Sequence, residues 1–82
     1  MAIPNDPAAR LRRRAMAAAL TEAGFPITEK TLSTKASRGG GPPFEKWGRF
    51  ALYPWGPGLA WAHGRLSPPT RSTSEADARA AA

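Results

Sequence analysis

The sequence predicts one small α+β domain, mainly α, in the order helix, helix, two-stranded hairpin, helix, with disordered ends. Two observations carry most of that expectation. The spacing of apolar residues changes from a period of about 3.6 to about 2 after Pro42-Pro43, around a compact turn signal at Gly48-Arg49. Clusters of glycine and proline at 24–26, 39–43, 54–58 and 67–69 separate the periodic stretches. A third is length: 82 residues make room for a single thin core, and with no cysteine there is no disulfide or thiolate metal site to support it. The expected boundaries are a flexible segment 1–5, a folded unit 6–66 and a disordered tail 67–82.

Asp6-Pro7 reads as a helix start, a capping carboxylate followed by proline at the first helical position. That helix is expected to run through Arg10 to Ala23 and stop at Gly24, with Pro26 forbidding continuation. Met16, Ala19, Leu20 and Ala23 form its apolar stripe, and Arg10, Arg13 and Arg14 lie off it. Phe25 and Ile27 anchor the following turn. Thr28 is the next N-cap, opening a helix from Glu29 to about Ser37. Leu32 and Ala36 face the core there, while Lys30, Ser33, Thr34, Ser37 and Arg38 face outward. The short link from Gly24 to Thr28 has the length that helix-turn-helix units use.

Gly39-Gly40-Gly41 ends the second helix, and Pro42-Pro43 sets an extended chain. Phe44–Trp47 and Phe50–Tyr53 then read as two strands around Gly48-Arg49. A last helix is expected from about Pro57 to Leu66, burying Leu59, Ala62 and Leu66, weakened by Gly58 and Gly64 and stopped by Ser67-Pro68-Pro69. Beyond it the chain lacks large apolar residues, the composition of a disordered tail.

Twelve Lys and Arg stand against six Asp and Glu, a net charge of +6. Arg71, Arg79, Glu75 and Asp77 cancel, so the excess sits on residues 1–70. Such an excess favours nucleic acid, an anionic surface or an acidic protein. No apolar run spans a bilayer and no signal-peptide pattern follows Met1, so no membrane partner and a cytoplasmic, nucleoid-associated location are expected. Catalysis is not expected. Glu22, Glu29 and Glu45 are scattered, His63 has no ligand or carboxylate at helical spacing, and Gly39-Gly40-Gly41 is not followed by the Lys-Ser/Thr of a phosphate loop. No metal and no cofactor are implied. Phe44, Trp47, Phe50, Tyr53, Trp55 and Trp61 read as core rather than as a base-stacking platform, which would need several rings on one exposed sheet face.

Thr31-Leu32, then Arg38-Gly39-Gly40-Gly41-Pro42-Pro43-Phe44, Lys46, Gly48-Arg49 and Tyr53 together resemble the excisionase family of MerR-like winged helix domains, a pattern shared with AlpA-type prophage regulators. The resemblance spans Leu20 to Leu66. It implies a winged helix-turn-helix in which the helix from Glu29 is the recognition helix and the Lys46–Arg49 hairpin is the wing. Two departures stand out: Lys35-Ala36-Ser37 occupies positions where many relatives carry an aromatic residue or arginine, and Arg49 is followed by Phe50 rather than a second arginine. That ring either packs on Trp47 or contacts a neighbouring protomer.

A helix fits the major groove, where short polar side chains reach base edges. The expected readers are Thr28, Lys30, Thr31, Ser33, Thr34, Lys35 and Arg38. From the wing, Lys46, Gly48 and Arg49 suit phosphates or the minor groove. Arg10, Arg12, Arg13 and Arg14 serve either as phosphate contacts across the groove or as a solvated helix face. Phe50 and Trp55 are the expected contacts between protomers laid head-to-tail on double-stranded DNA. The role this implies is that of a recombination directionality factor, which binds beside an attachment site, bends DNA and lets a tyrosine or serine integrase excise a mobile element. Transcriptional control of such an element with the same fold, or a protein-binding antiactivator with a degenerate helix-turn-helix, are the alternatives.

Overall fold

The computed structural model describes residues 3–67; most of the two segments expected to be loose, at 1–5 and 67–82, lies outside them. The described residues form three helices and a three-stranded antiparallel sheet. In chain order these are β1 (Arg10–Arg12), α1 (Arg13–Glu22), α2 (Glu29–Arg38), β2 (Glu45–Trp47), β3 (Phe50–Pro54) and α3 (Trp55–Gly64). The sheet order is β1-β3-β2, so β3 is central. Helix α1 packs on β1 and β3, α3 on β3 and α1, and α2 on α1. The α+β class and the element order hold, with one strand more than expected.

That extra strand overturns the expected helix start at Asp6-Pro7. The Asp6 carboxylate does accept from a backbone N–H, that of Ala8 at 2.9 Å, and the Asp6 carbonyl accepts from Ala9. The result is a single turn, because residues 7–12 are needed elsewhere. The carbonyls of Pro7 and Ala9 accept the N–H groups of Gly56 and Trp55 at 2.8 and 2.9 Å. Arg10, Leu11 and Arg12 then pair with Pro54, Leu52 and their neighbours along β3, Leu11 lying opposite Tyr53. The first free N–H groups of α3 are thus satisfied by backbone, since no side chain caps that helix. This also explains why α3 begins at Trp55 rather than Pro57.

The ends of α1 and α2 follow local chemistry. Phe25 N–H donates to the Leu20 carbonyl at 2.8 Å and Gly24 N–H to that of Thr21 at 3.1 Å, with Gly24 at φ 103°, the paired bonds of a Schellman motif. The Thr21 hydroxyl donates to the Ile27 carbonyl at 3.1 Å and accepts from the Ile27 N–H, tying the helix-helix link. Thr28 caps α2, its hydroxyl accepting from the Thr31 N–H at 3.1 Å. In the hairpin, Trp47 lies opposite Phe50, leaving Gly48-Arg49 as the two-residue turn. Positive φ is confined to Gly48, the pattern of a type II′ turn.

Met16, Ala17, Ala19, Leu20, Leu32, Tyr53, Trp55 and Ala62 form the core, with Leu11, Phe25, Ile27 and Leu59 packed against it. Gly58 packs so closely on the Met16 methyl that a side chain there would displace it. The glycine that weakens α3 as a helix is what lets α1 approach. Three packing expectations are corrected. Leu66 lies beyond the end of α3 and is 61% exposed, not part of a buried stripe. Trp55 is 5% exposed, because the start of α3 is clamped by residues 7–9, so it offers no surface to a neighbouring protomer. Trp47 is 72% exposed rather than core. Side chains alternate across a strand. With Tyr53 inward, Phe50 and its partner Trp47 must point outward.

Candidate nucleic-acid interface

The predicted site residues divide into groups. On α2, Lys30, Thr34 and Ser37 recur at i, i+4 and i+7 and so share one face, flanked by Ser33 and Arg38; all five are exposed. Leu32, on the opposite side, is the helix's buried anchor. Thr28 and Thr31 are engaged with each other, their hydroxyls 3.0 Å apart in the N-cap. Thr31 and Lys35 line an apolar groove of about 310 Å³ beside Phe25, Trp61 and Leu66, away from the outward face. The exposed, outward face of α2 therefore consists of Lys30, Ser33, Thr34, Ser37 and Arg38.

The arginines of the N-terminal segment meet the hairpin. Arg12, Arg13 and Arg14 share an open groove of about 730 Å³ with Arg49, Phe50 and Glu29. Four arginines from two sequence-distant segments, 12–14 and the hairpin turn, thus line one depression at the start of α2, with Glu29 on its wall. Arg13 is held in place, its Nε donating to the Tyr53 hydroxyl at 3.0 Å. Arg12 stacks on Phe50, its guanidinium carbon 4.3 Å from the ring centroid. The side chains of Arg14 and Arg49 have no hydrogen-bond or ion-pair partner among the described residues.

The start of α1 adds to this field. It has no side-chain cap and no acidic residue in its first turn, where Arg13 and Arg14 sit instead. Positive side chains beside the positive end of the helix dipole repel it, and an anion placed there relieves both. Arg10 stands apart. It lies on the outer sheet face and pairs with Glu45 at 2.7 Å; that hydrogen bond, with the Glu45 charge, raises its pKa above the usual guanidinium value. Both partners are more than half exposed, so the pair adds little to stability. It does neutralise Glu45 beside the hairpin.

At the hairpin tip, the Lys46 ammonium donates to the Arg49 carbonyl at 3.3 Å and braces the turn. Lys46 thereby supports the tip as well as adding charge to it. Phe50 is 37% exposed beneath Arg12, so of the two rings expected at a protomer contact only this one reaches the surface. His63 meets Phe25 edge-on at 5.0 Å between centroids. Among the described residues no group of three or more His, Asp or Glu gathers at metal-binding distance, and no helix is long and apolar enough to cross a membrane.

Sequence reasoning kept Arg12 together with Arg13 and Arg14 but gave no reason for Arg49 to join them; that needs β1, which depends on long-range pairing with β3. Compared with protein-family models, with curated proteins and with solved structures, the chain matches none.

Proposed function

We propose that this chain is a non-catalytic, sequence-specific binder of duplex DNA that works as a winged helix-turn-helix. In this reading α2 enters the major groove and presents Lys30, Ser33, Thr34 and Arg38 to base edges. Arg12, Arg13, Arg14 and Arg49 hold the flanking phosphates, and the Gly48-Arg49 tip follows the backbone into the adjacent minor groove. The observation that carries it is the arginine groove, which joins the start of α1 to the hairpin tip beside the first turn of α2. Phosphate backbones are the ligand that such a concentration of guanidinium groups suits best. An acidic protein partner would be met by the same charge, but the small hydroxyl and amine side chains on the outward face of α2 favour base edges.

The resemblance to excisionases supports a narrower role, that of a recombination directionality factor acting at an attachment site on chromosomal DNA beside an integrase. Footprinting on DNA flanking the element tests the site, and an excision assay with the integrase tests the role.

Base reading and backbone holding separate by variant. Lys30→Ala and Thr34→Ala should each lower discrimination between the preferred site and unrelated duplex by about 1–3 kcal/mol. Arg49→Ala should weaken binding to every sequence alike. Parent-like binding by all three variants would refute the orientation.

A further inference from the structure

We propose that Trp47 is a wedge that inserts into the base stack of duplex DNA from the minor-groove side and opens one base step. The inference rests on the DNA-binding reading above and deepens it by giving the hairpin tip a second task besides holding phosphate.

The side chain stands where a wedge is needed. Trp47 ends the edge strand β2, immediately before the two-residue turn, and is the most exposed of the large apolar side chains among the described residues, at 72%. It shares the outer sheet face with Phe50, but the two rings differ. Arg12 covers Phe50, whereas among the described residues no ring or cation stacks on Trp47. A single exposed apolar side chain is ordinary. Here the ring has cations on either side in sequence, at a braced tip. Lys46 precedes it and bonds across the turn to the Arg49 carbonyl, Gly48 supplies the positive φ that keeps the turn short, and Arg49 follows.

The surroundings select an anionic occupant over an apolar one. Glu45, the acid nearest the tip in β2, is paired with Arg10, and that mutually neutralised pair lines a groove with Trp47, leaving Lys46 and Arg49 as the tip's cations without an acidic partner among the described residues. The tip also joins the arginine groove, since Arg49 and Phe50 line it. DNA held there by its phosphates lies beside the ring. Apolar side chains flanked by cations are how minor-groove proteins partly unstack a step and bend the duplex away from themselves. Pyrimidine–purine steps, the most easily unstacked, are the expected position.

The test uses the full chain and a duplex carrying a fluorescent purine analogue at successive positions across the bound site, with an end-labelled copy for bending by energy transfer. The parent should brighten the analogue at one step and shorten the end-to-end distance. Trp47→Ala should keep the parent's melting temperature and its salt-dependent binding, with affinity lowered by roughly tenfold, while losing both the brightening and the bend. Trp47→Phe, which keeps a planar ring, should restore most of each. Equal brightening and bending by Trp47→Ala and parent would overturn the wedge while leaving DNA binding intact. The same holds if Trp47→Ala melts several degrees lower, which would make the ring structural, or if only dimerisation of the free protein responds to it. Failure of the parent to bind any duplex would instead remove the DNA-binding reading itself.

Discussion

The first two helices have the same length, ten residues each, and opposite manners. α2 obeys local rules: Thr28 caps it, Glu29 lies in its first turn, and Lys35 and Arg38 lie in its last. α1 breaks them. Its first turn carries Arg13 and Arg14 behind Arg12, no side chain caps it, and its last turn has no basic residue. Both bury an anchor fully, Leu20 in one and Leu32 in the other, so tertiary packing holds each. α1 buries Met16, Ala17 and Ala19 besides Leu20, whereas α2 buries Leu32 alone, yet the helix with more packing is the one whose terminal charges are wrong. Where a sequence violates a local rule with no local compensation, the violation points to function. For α1 the missing compensation is an anion, and the groove shared with Arg49 is where it would sit.

Substitutions in the two helices should separate packing from charge. The largest effects should be equal in the two helices. Leu20→Ala and Leu32→Ala each remove a fully buried side chain and should cost roughly 2–5 kcal/mol in urea unfolding, enough to leave a domain of this size marginal. If only one of them destabilises the fold, the two helices do not share a core as described.

Thr28→Ala should cost about 1 kcal/mol by removing the α2 cap. It should change DNA affinity only through stability, because the Thr28 hydroxyl is spent on Thr31. A loss of site preference at full folding would return Thr28 to the reading set. Gly24→Ala, at φ 103° in open space, should cost a similar amount, on the order of 1–2 kcal/mol, from backbone strain alone.

The smallest effect is the most diagnostic in sign. Arg14→Glu replaces a repelled cation by an acid at the start of α1 and should raise stability by about 0.3–1 kcal/mol. It should weaken duplex binding at the same time. Loss of stability in this variant would mean that Arg14 is structural, contrary to the absence of any partner among the described residues.

How much was legible in the sequence follows the range of the interactions. Gly24, Thr28 and Gly48 marked the end of α1, the start of α2 and the hairpin, because each acts within a few residues of itself. β1 was not legible. Arg10-Leu11-Arg12 is too short to show a period, and Asp6-Pro7 favours a helix until β3 and α3 claim residues 7–12. The placement of Trp55 failed for the same reason, since its burial depends on Ala9 and Pro7. The exposure of Trp47 could have been read: Phe50 lies three residues from the inward Tyr53 and so on the other face, and a two-residue turn at Gly48-Arg49 sets Trp47 opposite Phe50 on that same outer face. Of the candidate site, the outward face of α2 was visible in its periodicity. The arginine groove was not, because it exists only once β1 is paired.

In the proposed function, the unsatisfied cations at the start of α1 and at the hairpin tip hold DNA phosphates. Duplex affinity measured against salt concentration, for the parent and for the variant with both Arg14→Ala and Arg49→Ala, tests it most directly. Three to five phosphate contacts predict a parent log–log slope of about −3 to −4.5, shallower in the double variant by about 0.9 for each arginine removed. Parent binding that ignores salt, or a double variant whose line runs parallel to the parent's, would contradict it.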